Sequence, residues 1–157
     1  MSLSLIRPTV PTIGRVGSAE DVLEPRPRMT LRREIMAVVV PAWAERGRDM
    51  TAYARAPRDV VGEAAEELTT HLKGDEVVTA TDDGRLVFRL RHEDRSARPV
   101  RLQEMAYHVV EAFDRLGFHA GVLDLGVGWA PITRKHEPDM ALEYADAAAR
   151  PPAARAR

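Results

Sequence analysis

Two adjacent carboxylates, Asp82 and Asp83, are the residues of this chain best suited to chemistry, and a glycine and an arginine follow them directly. Neighbouring carboxylates can bind a divalent cation, and Glu45 or Asp49 could complete such a site. The same Asp-Asp-Gly sequence is also typical of a tight hairpin turn. We favour the turn and keep Asp82 and Asp83 as alternative metal ligands.

Charged residues on both sides of this turn could bind an anionic ligand. Lys73 and Glu76 precede it with a spacing of three residues, and we interpret them as a solvated ion pair, with a ligand site as the alternative. A row of arginines follows the turn, which is typical of an ordinary charged surface. The row comprises Arg85, Arg89, Arg91, Arg95 and Arg98. The candidate ligand-binding residues are therefore Lys73, Glu76, Arg85 and Arg89.

Histidine and cysteine provide no familiar metal or nucleophile motif. The chain has no cysteine, which excludes disulfides, thiolate catalysis and cysteine metal sites. Its five histidines show neither His-x-x-x-His nor His-Glu-x-x-His spacing, so they predict no metal site, and we interpret His108 as a boundary residue on a helix. No Gly-x-Gly-x-x-Gly or Walker phosphate loop is present.

The overall composition favours one domain with flanking tails. The chain has 157 residues and a formal net charge of −1, which gives no general attraction to nucleic acid or to an anionic membrane. No apolar run approaches the roughly 20 residues that a membrane-spanning helix needs, and the N-terminus lacks the apolar stretch of a secretory signal. We therefore expect a cytoplasmic protein.

The first half of the chain predicts an arm, a buried strand and a helix. Residues 1–29 contain four prolines and little periodicity, so they predict an extended or disordered arm. Ile35–Val40 is a continuous apolar run that predicts a central strand buried on both faces, ended by Pro41. Residues 42–56 are mixed and predict one or two helical turns. A helix should begin at Pro57, with an apolar face formed by Val60, Ala64, Leu68 and Leu72.

The second half predicts a hairpin, two further helices and a last strand. Leu72–Leu90 reads as strand, turn and strand, in which Leu86, Phe88 and Leu90 share one face. A helix from Pro99 to Gly117 follows, and a strand over 121–130 has glycines on one face that would let a helix approach closely. The apolar face of the second helix is formed by Leu102, Met105, Val109, Phe113 and Leu116. A final helix from Pro138 should use Met140, Tyr144 and Ala148, and residues 151–157 should be a disordered tail.

The resulting order of elements, βαββαβ, predicts an α/β fold with a ferredoxin-like core and helices packed on one face of the sheet. We assign this domain to residues 30–150.

Four segments, in order, resemble the GGDEF (diguanylate cyclase) family. Residues 56–72, with Asp59, are similar to the helix that follows the family's GH-x-x-GD segment. Residues 72–90 resemble its signature hairpin, residues 123–130 its T-x-S-I-G-V-A strand, and residues 141–148 its closing helix with an Ala-Asp pair, here Ala145 and Asp146.

The resemblance implies an activity for which this chain lacks the expected metal-binding acids. Members of the family condense two GTP into cyclic di-GMP with two magnesium ions, held by an aspartate that ends the first strand and by an acid in the hairpin. Here the first strand ends in Pro41-Ala42, and the signature reads Asp82-Asp83-Gly84-Arg85-Leu86 in place of Gly-Gly-Asp-Glu-Phe. Lys73 and Glu76 occupy the positions of the family's inhibitory Arg-x-x-Asp product site, but lysine lacks the planar fork of arginine.

These residues predict a catalytically inactive, GGDEF-like signalling module of a bacterium. It would have no cofactor and would act through a protein partner or as a homodimer, docked through the hairpin and the proline-rich arm. One alternative is a non-catalytic receptor for cyclic di-GMP or GTP, bound through Lys73, Glu76 and nearby arginines. A second alternative is a nucleotide cyclase with relocated magnesium ligands, for which Asp82 and Asp83 are the candidates.

Overall fold

The apolar run Ile35–Val40 lies at the centre of the sheet, as its composition predicts. In the computed structural model, which describes residues 14–25, 33–44, 53–92, 99–118 and 123–149, this run is part of strand β2, Glu34–Ala44. The side chains of Ile35–Val40 are at most 2% exposed. Both faces of β2 are therefore covered, and the prediction of a strand buried on two sides is confirmed.

The described strands form one open sheet around β2. The others are β1 (Arg15–Val16), β3 (Tyr53–Arg55), β4 (Val77–Ala80), β5 (Leu86–Arg91) and β6 (Leu123–Ile132). Strand β2 pairs antiparallel with β5 on one side and with β6 on the other, β4 pairs antiparallel with β5, and the two-residue β1 adds in parallel to β4. The fold is thus mixed α/β, as predicted.

The described residues form four α-helices. They are α1 (Ala19–Leu23), α2 (Arg58–Leu68), α3 (Val100–Arg115) and α4 (Pro138–Ala148), and a 3-10 turn, Thr69–His71, continues α2. None of the helices in the described part of the chain is both long enough and apolar enough to cross a membrane.

Helices α2 and α3 cover the face of the sheet that carries Leu86, Phe88 and Leu90, all fully buried. The apolar face predicted for α3 is confirmed at Leu102, Met105, Val109 and Phe113. The helix ends at Arg115, two residues before the predicted stop at Gly117. Gly117 follows the C-cap with a φ of +95°, a backbone conformation that glycine adopts without steric cost. The face predicted for α2 is confirmed at Ala64, Leu68 and Leu72, which are buried in the core, and Val60 packs against it partly buried. Val61 and Ala65 are buried as well, so the inner face is wider than predicted.

Helices α1 and α4 cover the opposite face, which corrects the prediction of helices on one face only. Helix α4 packs on β6 and β2 through Ala141, Ala145 and Ala149. A Cβ at Gly128 of β6 would collide with the backbone oxygen of Ala145, so the glycine face does admit a close helix, as predicted. Only alanines fit at that distance. The predicted inner face of α4 is therefore wrong: Met140 and Tyr144 are exposed.

The structure also corrects the prediction for the arm. Residues 15–23 form β1 and α1 rather than an extended or disordered segment. Ser18 and Asp21 make a reciprocal capping box at the start of α1, and Val22 is 1% exposed against the sheet. Residues 1–13 and 26–29 of the predicted arm, and the predicted tail over 151–157, lie outside the described residues.

Strand β2 continues through Pro41, contrary to the prediction. On one side of β2, pairing with β5 ends at Val39 and pairing with β3 begins at Ala42. Pro41 lies at this junction, where its carbonyl accepts a hydrogen bond from the backbone N–H of Ala56. Because Pro41 lies between the residues that pair with β5 and those that pair with β3, its lack of an N–H interrupts neither set of backbone hydrogen bonds. Within 42–56, the described residues belong to β2 and β3 or lie extended, so the predicted helical turns are wrong there.

Candidate functional site

The signature hairpin has the tight turn that its sequence predicts. The backbone N–H of Thr81 donates to the carbonyl of Arg85 at 2.8 Å, and that of Gly84 donates to the carbonyl of Thr81 at 3.1 Å. Gly84 has a φ of +80°, and a Cβ there would lie 2.8 Å from the carbonyl oxygen of Ala56. Glycine is therefore required by the turn and by its packing on the segment that leads into α2. Leu86, the last signature position, is fully buried and belongs to the core.

The hairpin carboxylates are held by arginines. Asp82 forms an exposed ion pair with Arg58 of α2 at 2.8 Å. Asp83 accepts from Arg85 at 2.9 Å and also from the hydroxyl of Thr81. Burial raises the pKa of Asp83, but the hydrogen bonds from Thr81 and Arg85 outweigh it and lower the pKa overall.

Arg85 joins the hairpin to the last helix. Its guanidinium pairs with Asp83 and, from another nitrogen, with Asp146 of α4. Among the described residues, no group of three potential metal ligands includes Asp82 or Asp83. Glu45 and Asp49, which could have completed a metal site, lie outside the described residues. Pro41 and Ala42, where the sequence predicted the end of the first strand, are buried within β2.

A cavity of about 340 Å³ adjoins the hairpin on the α1 and α4 side of the sheet. Its wall includes the aliphatic side chains of Val22, Val87 and Leu142, and the ion pair between Arg85 and Asp146. The space next to the hairpin is thus largely apolar, and two of its charged wall residues, Arg85 and Asp146, are paired with each other.

Glu76 is an internal anchor rather than half of a solvated pair with Lys73. Its side chain is 1% exposed, and its carboxylate pairs with Arg101 of α3 at 2.7 Å. The same carboxylate accepts the backbone N–H groups of Lys73 at 2.7 Å and Arg91 at 3.0 Å. A buried carboxylate is stable when its oxygens are filled in this way. The predicted solvated pair is wrong for Glu76, because its partner is an arginine 25 residues later.

Arg101 is fixed by several acceptors at once. It donates to Glu76, to Glu104 at 3.1 Å and to the carbonyl oxygen of His71. Burial lowers the pKa of Arg101, but its bonds to Glu76 and Glu104 outweigh that effect and raise the pKa overall. The guanidinium therefore remains charged and ties the start of α3 to the end of the 3-10 turn.

A cavity of about 280 Å³ opens beside this ion pair. Its lining residues are Lys73, Glu76, Arg91, His92, Val100, Arg101 and Glu104. Arg91 is paired with Asp75 at 3.0 Å. Three cations and two carboxylates thus line the cavity, which gives it a modest positive charge at the first turn of α3.

Arg89, a candidate ligand-binding residue, faces the interior instead. It is 3% exposed, pairs with Glu34 at 2.7 Å, and donates to the carbonyl oxygens of Val22 and Glu24. It therefore joins α1 to the sheet. Of the other arginines in the row, Arg95 and Arg98 lie outside the described residues.

The structure therefore separates the four candidate ligand residues. Lys73 and Glu76 border the cavity beside α3, Arg85 lies at the hairpin, and Arg89 is buried beneath α1. Sequence reasoning missed Arg101, which completes the Glu76 site. The one available signal was an arginine in the first turn of a helix that follows a proline.

No protein-family model matches this chain, and no curated protein matches it. Its resemblance to GGDEF domains therefore rests on the segments named above.

Proposed function

We propose that the protein is a non-catalytic, GGDEF-like module that acts by binding another protein. The observation that carries the proposal is the position of Arg85. This residue stands where the family has a magnesium-binding acid, and its guanidinium bridges Asp83 and Asp146. A fixed cation between two carboxylates supplies the charge balance that a metal would otherwise supply, and it opposes binding of a divalent ion.

The order of the strands supports a ferredoxin-like core for this module. The four long strands neighbour each other as β4-β5-β2-β6, and all three contacts are antiparallel. With α2 between β2 and β4, and α3 between β5 and β6, this is the arrangement expected of a βαββαβ unit. The additional helices α1 and α4 then cover the second face.

The packing of the hairpin tip also supports a module without cyclase activity. Asp82 is paired with α2, Arg85 with α4, and Gly84 packs against Ala56. A triphosphate approaching this tip would have to displace these contacts. A hairpin fixed on two sides is better suited to a constant recognition surface than to substrate turnover.

The test is an assay of the full chain with GTP and either Mg²⁺ or Mn²⁺, followed by chromatography for cyclic di-GMP. We expect no product. A metal-dependent product that disappears in Asp82→Asn and Asp83→Asn would support the cyclase with relocated ligands and overturn the proposal. Sedimentation velocity over a range of concentrations then tests whether the partner is a second copy of the chain.

A nucleotide receptor is the second candidate, and the cavity beside α3 favours it. Lys73, Arg91 and Arg101 place three cations around a space of about 280 Å³. Arg91 and Arg101 are already paired with Asp75 and Glu76, so a phosphate would compete with those carboxylates.

Isothermal titration with cyclic di-GMP and with GTP, in the presence of magnesium, separates this candidate from the interaction module. The receptor predicts micromolar binding that weakens in Lys73→Ala. Lys135→Ala is the matched control, because these are the two lysines of the chain. Absence of heat leaves the interaction module.

A further inference from the structure

Two histidines far apart in sequence meet on the outer side of α2 and α3. His71 ends the 3-10 turn after α2, and His108 lies in the middle of α3. Their rings are stacked, with centroids 3.6 Å apart and planes 10° from parallel. Both side chains are partly buried. The spacing of 37 residues explains why no histidine motif appears in the sequence.

A carboxylate completes the group. Glu111 lies one helical turn after His108, and its Oε2 is 3.4 Å from His108 Nδ1. A ligand atom from each of His71, His108 and Glu111 lies within 4.8 Å of the other two. Two imidazoles and one carboxylate form a donor set that is common for Zn²⁺ and similar ions.

The surroundings keep these groups in the protonation states that a metal needs. Tyr107 hydrogen-bonds to Glu111, which lowers the pKa of that carboxyl and raises the pKa of the tyrosine. Burial, and then the neighbouring His108, lower the pKa of His71. At neutral pH, Glu111 is thus ionised and His71 has a free lone pair. Tyr107 also orients the carboxylate, as second-sphere partners of metal ligands do.

We propose that His71, His108 and Glu111 bind one divalent transition-metal ion of the zinc class, with water in the fourth position. The lone pairs of stacked rings lie in parallel planes, so an ion at about 2.0–2.1 Å from both nitrogens requires one ring to turn. Binding therefore exchanges the ring stack for coordination. Arg101 and Arg115 lie close enough to act on His71 and oppose the added charge, so we expect micromolar rather than nanomolar affinity.

The experiment is a calorimetric titration of the full, tag-free, metal-stripped chain with ZnCl₂ at pH 7.5. We expect one ion per chain with a micromolar dissociation constant and no competition from Mg²⁺, which prefers oxygen ligands. His71→Asn, His108→Asn and Glu111→Gln should each weaken binding about tenfold or more. His136→Asn is the matched control, because His136 lies in the exposed turn before α4 and contacts Thr133 and Tyr144 instead.

A second measurement, made on the wild-type chain, does not depend on whether the variants fold. In the wild-type chain, Zn²⁺ should shift the imidazole NMR signals of two histidines, His71 and His108, and leave the other three unchanged. A dissociation constant weaker than about 100 μM, shifts at other histidines, or unchanged affinity in all three folded variants would overturn the proposal.

Discussion

Glu76 is buried and forms an ion pair with the partly buried Arg101, with Nη2 and Oε1 2.7 Å apart and side-chain exposures of 12% for Arg101 and 1% for Glu76. The pair joins the start of α3 to the loop before β4. Glu76 also holds the backbone N–H groups of Lys73 and Arg91. Glu76 thus fixes the wall of the cavity beside α3.

Removing one partner of this pair should be strongly destabilising. Glu76→Gln leaves the Arg101 guanidinium without its main counter-charge, and breaking a buried pair in this way costs about 3–5 kcal/mol. Urea unfolding followed by circular dichroism measures the change in free energy. Glu104→Gln is the control, because Glu104 pairs with the same arginine but is 49% exposed, and its loss should cost below about 1 kcal/mol. Equal effects of the two substitutions would show that Glu76 is not the anchor.

The same glycine-to-alanine change should have opposite effects in β6 and in α2. At Gly128 the added methyl group would overlap the backbone of α4, and we expect a loss of about 1–3 kcal/mol. At Gly62, a Cβ would meet no atom within 4 Å, and alanine should stabilise the helix by about 0.5–1 kcal/mol. Thermal unfolding of both variants tests the prediction. A tolerated Gly128→Ala would mean that α4 does not pack on the glycine face.

Arg85→Ala should loosen the hairpin without creating an enzyme. The substitution removes the bonds to Asp83 and Asp146, and since the side chain is partly exposed we expect a loss of about 0.5–1.5 kcal/mol. Faster amide hydrogen exchange at Thr81 and Gly84 should accompany it. Arg58→Ala removes an exposed pair with Asp82 and should change stability by less than about 0.5 kcal/mol. Cyclic di-GMP formation by Arg85→Ala would show that the arginine alone suppresses catalysis.

The parts of the fold that sequence reasoning predicted are those with a local pattern. The apolar run of β2, the Asp-Asp-Gly turn and the stripe of α3 each follow from residues within one element. Helix α1 was missed because four prolines in the first 29 residues outweighed the Ser18–Asp21 capping box. The predicted inner face of α4 used Met140, Tyr144 and Ala148, whereas the glycine face of β6 is contacted by Ala141, Ala145 and Ala149.

The candidate site was less predictable, because its partners are distant in sequence. Glu76 and Arg101 are 25 residues apart, Arg85 and Asp146 are 61 residues apart, and Arg89 and Val22 are 67 residues apart. The sequence shows where the charged residues are, but it does not show which of them the fold brings into contact. Arg89 is an example. It alternates with apolar residues along β5, as a surface arginine would, but it is buried.

The stacked histidines predict a dependence of stability on pH. Burial and the neighbouring His108 place the folded-state pKa of His71 below its ordinary value of about 6.5. The charged groups that act on it are Glu111, Arg101 and Arg115. As the pH falls below about 6.5, the unfolded chain binds a proton at His71 before the folded chain does. The folded state therefore loses stability as the pH falls from about 6.5 through the lowered folded value, and His71 contributes no slope above that window.

We expect the free energy of unfolding, measured with urea at pH 5–8 in buffer with a metal chelator, to decline on the acidic side of this range. One proton gives a slope of at most about 1.4 kcal/mol per pH unit. His71→Asn should flatten the decline, because asparagine does not titrate, whereas His136→Asn should retain it. A decline that persists unchanged in His71→Asn would assign it to other groups. Zinc at saturating concentration should steepen the loss on acidification, since protons compete with the ion for both imidazoles.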